Sequence, residues 1–296
     1  MADCAARVHD FTPENRCNER LSVVSELRLA REAITDGHAN FVQDAVAPSG
    51  PWRAPTSYEL IGLLGHPGCY AENDVFVVSL HDLAHSLSTH FESRTDLSLA
   101  RNASCKATFF HAIEGCGKHL EPFCIQGGDV ESQGAAVNAG GMSLITQDMD
   151  VTPPQRIGLH VDDWDHLAVS ERSHSRRRLC VNLGLMSRYL VFLPKPLSAL
   201  AAEGKFPSEI SHDESPARVV RRYLSRNLRQ LAVRVRIDPG EAYIFNAEDV
   251  IHDGSSDLSD VPDIALHFLG PFEPPAGIRH NSTSGFFRRL LKRYSG

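Results

Sequence analysis

Past residue 141 the chain is cut into short apolar runs by turn-forming residues, and this punctuation constrains the fold more than any other feature. Runs at 142–146, 157–162, 178–184, 189–193, 233–237, 241–245, 250–252 and 264–269 are each only a few residues long. Between them stand Pro153 with Pro154, Pro194 with Pro196, and Pro239 with Gly240. Proline lacks the N–H a sheet ladder needs and belongs at strand ends, while glycine takes tight turns. Runs of this length suit strands better than helices. Short strands separated by turns, without alternating helices, predict an all-β core with flanking helices, a barrel or a sandwich, rather than βαβ units.

The flanking segments read differently. Residues 18–42 place apolar side chains three and four apart and predict a helix. A break follows at Pro48 and Pro51, then a short helix over 56–65. Residues 75–80 fit a strand, although 74–91 equally fit a helix with an aspartate cap. Residues 93–141 are glycine-rich and read as loops and short strands at a pocket mouth. A further helix is expected over 215–231. Residues 1–55 are therefore expected to form a helical and loop extension, residues 56–275 the core domain with its pocket loops, and residues 276–296 a basic tail helix packed on that core.

With 296 residues the chain can bury a sizeable core, and its formal charge of −7 argues against a nucleic-acid partner. No apolar run approaches the length of a membrane span. The first residues lack the basic head and apolar stretch of a secretory leader. Seven cysteines, an odd number in a long chain, read as reduced thiols and not as a disulfide framework. A cytoplasmic protein is expected, with a homodimer left open.

One constellation carries chemistry. His160 and Asp162 stand two apart, so in an extended chain their side chains leave the same face. Asp163 is a rival carboxylate, but parity sends it to the other face. His252, about ninety residues on and followed by Asp253-Gly254, would complete a 2-His-1-carboxylate triad for a non-haem Fe(II). The order of these ligands, with strands between and after them, is that of a double-stranded β-helix (a jelly-roll, cupin-like barrel). Through His160, Asp162 and His252, residues 141–272 resemble the Fe(II)/2-oxoglutarate-dependent dioxygenases. The resemblance implies that iron, 2-oxoglutarate and O2 together oxidise an unactivated C–H bond of a small substrate. With a carboxylate at Asp162, it implies a hydroxylase or other oxidase more than a halogenase.

The resemblance also implies a cation for the far carboxylate of 2-oxoglutarate, commonly ten to fifteen residues past the distal histidine. Here no arginine or lysine lies between His252 and Arg279. His267 falls near that place but is a weak substitute. Arg178 and Asn182, which share a face of the 178–184 run with Cys180, are the first candidates to hold the cosubstrate. Arg188 and Arg156 are the next. Trp164 reads as a wall of the substrate pocket or as simple packing, and Asn246 as an orienting group or a strand terminator. The arginine-rich run 171–178 reads as a solvated loop or as a positive rim for an acidic substrate. The substrate is expected to be small and polar, anionic or amino-acid-like, or a natural-product intermediate.

Two other metal readings stand beside this one. His81 and His85 are four apart, as on one face of a helix, with His90 as the only nearby third ligand. Cys105, Cys116, His119 and Cys124 could hold zinc but lack a tight knuckle spacing. The rival function classes are a cupin-like metalloenzyme that does not use 2-oxoglutarate and a non-catalytic β-barrel binding protein.

Overall fold

The computed structural model describes residues 6–30, 41–66, 68–88, 117–125, 128–148, 152–211 and 213–274. Most of the expected strands are present, and they assemble into two open sheets. With strands numbered along the chain, β1 (Val8–Asp10), β5 (Val75–Ser79), β12 (Glu241–Phe245), β9 (Arg177–Asn182), β14 (Asp263–Gly270) and β6 (Glu131–Asn138) form the larger sheet in that order. Its pairs are antiparallel except β1 with β5, which is parallel. The smaller sheet orders β13 (His252–Ser255), β10 (Arg188–Phe192), β11 (Ala232–Ile237) and β2 (Leu21–Val24), all antiparallel. Two ribbons complete the set, β3 (Leu27–Leu29) with β4 (Val46–Pro48) and β7 (Gln147–Asp148) with β8 (Gln155–Arg156).

Side-chain alternation makes this a layered molecule. From the larger sheet, Val75, Val77, Tyr243 and Phe245 point inward and meet Leu190, Phe192, Val233 and Val235 of the smaller one. The intervening residues Phe76, Val78, Leu179, Val181 and Ile244 face outward, onto Leu83 and Leu87 of the helix His81–Ser88. On the outer side of the smaller sheet, Val191 packs with Leu197 and Leu200 of the helix Leu197–Ala202 and Val220 and Leu224 of the helix Pro216–Arg226. No described helix is long and apolar enough to cross a membrane.

The expected double-stranded β-helix is not what forms. Among the described residues neither sheet closes on itself. β1 and β6 end the larger sheet, and β13 and β2 end the smaller. One local cause lies at 157–162, where a regular strand was expected. Gly158 takes a positive φ of 74°, a conformation that interrupts an extended run and suits glycine. A Cβ there would also lie 2.8 Å from the Val46 carbonyl oxygen. The chain beyond it contributes only an isolated bridge, His160 to His252, at the free edge of β13.

The helix expected over 18–42 also gives way. A turn of helix at Cys17–Arg20 ends where Leu21 begins β2, and β3 follows. Leu21 and Val23 are inward residues of the sandwich, so pairing with β11 outweighs a three-four spacing. The two readings of 74–91 are both partly right: β5 is followed directly by the helix His81–Ser88. The short helix Ser57–Leu63 forms as expected, with a capping box between Thr56 and Glu59. Residues 31–40, His90, Cys105, Cys116 and the tail from 275 onward lie outside the described residues.

Candidate metal centre

The bridge between His160 and His252 is the scaffold of the site. Each backbone N–H donates to the other's carbonyl, at 3.0 and 2.8 Å, which sets the two imidazoles side by side with centroids 4.8 Å apart. Two residues on, the Asp162 N–H donates to the Ala247 carbonyl at 2.9 Å. The chain is thus extended and tied down without belonging to a ladder, and parity holds. Leu159 and Val161 are buried in the outer core, while His160 and Asp162 turn to the opposite side. Asp163 faces elsewhere and pairs with Arg172 and His166. Side-chain ligand atoms of His160, Asp162 and His252 lie within 4.8 Å of one another.

Both rings are oriented by their own backbone. His160 Nδ1 lies 2.9 Å from the Gly158 carbonyl oxygen, and His252 Nδ1 lies 3.0 Å from that of Val250. A carbonyl only accepts, so each Nδ1 carries a proton, and in the neutral imidazole each Nε2 presents its lone pair. The same kink at Gly158 that interrupts the strand aims this carbonyl. Both Nε2 atoms are buried without a hydrogen-bond partner. Two unpartnered imidazole nitrogens beside a carboxylate form a donor set suited to a divalent transition metal, with the fixed tautomers that metal-ligating histidines require.

Electrostatics favour the ligating forms of Asp162 and His252, and hold a proton more tightly at His160. Burial alone would raise the Asp162 carboxyl, but Arg178 and the two histidines hold it well below the usual carboxylate range. His252 is pushed down to about 3, first by burial and then by its neighbour His160. Burial works against a cation at His160 as well, yet Asp162 and Asp253 draw its pKa above the ordinary value.

The flanking residues separate into distinct groups. Arg178 leads the inward face of β9, as its alternation with Leu179 predicts, and its Nη1 donates to Asp162 Oδ2 at 2.8 Å. Arg188, on β10, is buried between the sheets. Its Nη1 contacts Cys180 Sγ at 3.3 Å, its Nε lacks a hydrogen-bond partner, and its nearest acid is Asp263 Oδ1 at 3.6 Å. Gly254 makes room for it, since a Cβ there would lie 3.1 Å from Arg188 Nη2. His267, opposite Cys180 in the ladder, has a buried Nδ1 without a hydrogen-bond partner. Its pKa is driven well down by burial and then by Arg178 and Arg188.

Asn182 ends β9, at the start of the connection that carries the chain from the larger sheet to β10 of the smaller one. Its amide is spent on the Met186 and Ile237 carbonyls and the Gly184 N–H. Arg156 lies in the β7–β8 ribbon, stacked over the Phe41 ring. The Trp164 side chain is exposed. The helix His81–Ser88 carries His81 and His85, but His81 packs against Gly240. Among the described residues, no other group of three or more ligand side chains converges.

Three supporting residues were illegible or undecided in the sequence. Arg172, within the arginine-rich run, is buried and donates to the carbonyls of Asp162 and Glu248. Glu248 accepts from the N–H groups of Trp164 and Asp165 at 2.9 and 2.7 Å. Asn246 accepts from Ser175 and from the N–H groups of Glu248 and Asp249, and donates to the Arg172 carbonyl. Together they brace the Asp162 segment against the turn leading to His252. No periodicity announces them. Elsewhere in the run, Arg176 pairs with Asp165, and Arg177 binds the carbonyls of Glu72 and Phe272.

No family model matches the sequence, and no curated protein matches it either. Among solved structures, the chain is similar to the non-heme alpha ketoglutarate dependent carbocyclase SnoK from nogalamycin biosynthesis. Identity is 12%, with 74% of this chain and 87% of that chain covered, at a TM-score of 0.28. An overlap that low assigns neither fold nor activity to this chain.

Proposed function

We propose that the protein is a non-haem Fe(II)- and 2-oxoglutarate-dependent oxygenase that oxidises a C–H bond of a small polar substrate. The observation that carries this reading is the pair of buried, unpartnered Nε2 atoms of His160 and His252 facing the Asp162 carboxylate. In a saturated protein interior, polar atoms left without partners point to a missing ligand. Three protein ligands on one face of an iron leave the other positions for cosubstrate and oxygen.

Arg188 supports the cosubstrate half of the reading. It is a buried guanidinium with an unpartnered Nε and only a loosely placed acid, which suits a second carboxylate. It lies against Gly254, two residues from His252 on the same strand face, or about 7 Å along β13. A five-carbon dicarboxylate can bridge that distance from metal to guanidinium. Asp263, eleven residues past His252, occupies the stretch where the resemblance implies an anchoring cation. The cation instead reaches Asp263 from the opposite sheet. When bound, iron and 2-oxoglutarate supply the oxidising chemistry, and the chain supplies placement and a dry interior.

The test is anaerobic addition of Fe(II) and then 2-oxoglutarate. A weak visible charge-transfer band should appear only with both present and should be lost in Arg188→Met. Iron bound without such a band would leave a metalloenzyme that does not use 2-oxoglutarate. Failure to bind iron would reject the metal reading itself.

A further inference from the structure

We propose that Arg178 is a positioning residue for the metal centre: it occupies one oxygen of Asp162 and so commits that carboxylate to ligating through the other. This inference rests on the metal reading above and assigns Arg178 a task distinct from cosubstrate capture. Arg178 Nη1 donates to Asp162 Oδ2 at 2.8 Å, whereas Oδ1 stands 3.6 Å from His160 Nε2. One oxygen is therefore held by the larger sheet and the other faces the histidines. Both side chains are largely withdrawn from solvent, 21% and 12% exposed, so water does not readily replace the guanidinium.

The guanidinium is itself held in place. Arg178 is paired in the ladder with Phe245 on one side and Leu269 on the other. The Phe245 ring packs edge-on against His252 at 4.7 Å. The ion pair thus joins β9 to the Asp162 segment across the gap between the sheets, at the point where no ladder joins them. A carboxylate free to rotate could chelate with both oxygens and take up an additional position on the metal. Held by Arg178, it supplies one donor, and an octahedral ion keeps the remaining face open. Diverting Arg178 to another anion would strand a buried carboxylate oxygen, which is costly. Arg188 has no such commitment, because its Asp263 neighbour lies beyond hydrogen-bond reach at 3.6 Å.

Co(II) is a suitable probe, since both its affinity and its visible absorption report coordination independently of turnover. Full-length wild type, Arg178→Met, Arg178→Lys and Arg188→Met would be titrated with Co(II) and then with 2-oxoglutarate, with circular dichroism as the folding control. Arg178→Met should weaken Co(II) binding by ~10–100-fold, the usual cost of losing a partner that orients a ligand. Its visible bands should change, and Arg178→Lys should recover most of the affinity. Arg188→Met should bind Co(II) with the wild-type spectrum but lose 2-oxoglutarate.

A folded Arg178→Met protein with wild-type Co(II) affinity and spectrum would overturn the proposal. If it lost 2-oxoglutarate at the same time, Arg178 would be the cosubstrate anchor. Should Arg178→Met fail to fold, Arg178→Gln, which keeps an N–H donor without the charge, carries the same comparison. Wild type that binds no Co(II) would instead reject the metal reading on which this inference rests.

Discussion

Two buried ionic clusters in this molecule resemble each other in composition and differ in completeness. Near the N-terminus, Arg20 is fully enclosed. Its Nε donates to Asp10 at 2.8 Å, Nη1 and Nη2 each donate to Glu241 at 2.6 Å, and Nη2 also reaches Thr12. Every donor group of that guanidinium is used. At the other cluster, His160, His252, His267 and Arg188 each leave a buried nitrogen without a hydrogen bond. A saturated cluster needs nothing more and ties β1 and β12 to the helical turn Cys17–Arg20. An unsaturated one is costly to maintain unless something occupies it. Burial and charge alone do not separate these two clusters, whereas their unmet donors and acceptors do.

That contrast can be broken first at its widest point. His252→Ala should abolish measurable Fe(II) binding in equilibrium dialysis, because two remaining ligands cannot hold the ion at one face. It should shift the urea midpoint only modestly, since His252 Nε2 supports no hydrogen bond in the metal-free protein. Arg20→Met should do the reverse. It strands Asp10 and Glu241 in the interior and should cost about 3–5 kcal/mol of stability. Adding Asp10→Leu and Glu241→Leu should restore much of that loss. If His252→Ala proved the more destabilising of the two, the distinction between a saturated and an unsaturated cluster would fail.

Arg188→Met tests the unsaturated cluster from its other end. Removing a buried cation that binds an anion typically costs about 2–5 kcal/mol of binding, or roughly thirty-fold or more in affinity for 2-oxoglutarate. Fe(II) binding should persist. Unchanged 2-oxoglutarate affinity, measured by calorimetry on the Fe(II)- or Co(II)-loaded protein, would remove Arg188 from the site.

What the sequence made legible follows from which interactions are local. His160 and Asp162 share a face because residues two apart do so in any extended chain, whether or not a ladder forms. The same rule made the polar face of Arg178, Cys180 and Asn182 readable. It gave no way to tell that Arg178 would meet Asp162, that Asn182 would tie down the connection between the two sheets, and that Arg188 would be buried between them. Those outcomes depend on how β9 of one sheet faces β10 and β13 of the other, which is long-range in sequence. Barrel closure was over-read for a similar reason. Gly158 looks unremarkable within an apolar run, yet its positive φ leaves a single bridge where the run 157–162 reads as a six-residue strand. The helix expected over 18–42 rested on spacing alone. Local spacing cannot register the pull of Asp10 and Glu241 on Arg20, or of β11 on Leu21 and Val23.

A third ion pair sharpens the comparison from the exposed side, with the smallest effect. Arg53 binds both oxygens of Glu59 at 2.8 and 2.7 Å, and Glu59 also caps the helix Ser57–Leu63 through the Thr56 N–H. Hydrogen bonding from Arg53, followed by the contacts to Thr56, brings the Glu59 carboxyl down to about 2 against the opposing effect of burial. Because the folded pKa lies below the unfolded one, the stabilisation is full above the ordinary carboxylate pKa of about 4.3. It fades as the pH falls towards 2. Arg53 is 44% exposed, so solvent screening limits the pair and cap together to about 0.5–1 kcal/mol. Glu59→Gln should therefore lower stability by that amount in urea melts at pH 6 and by progressively less towards pH 2. Added salt should shrink the pH 6 difference, whereas the cost of Arg20→Met should barely respond to salt, because no solvent reaches that guanidinium.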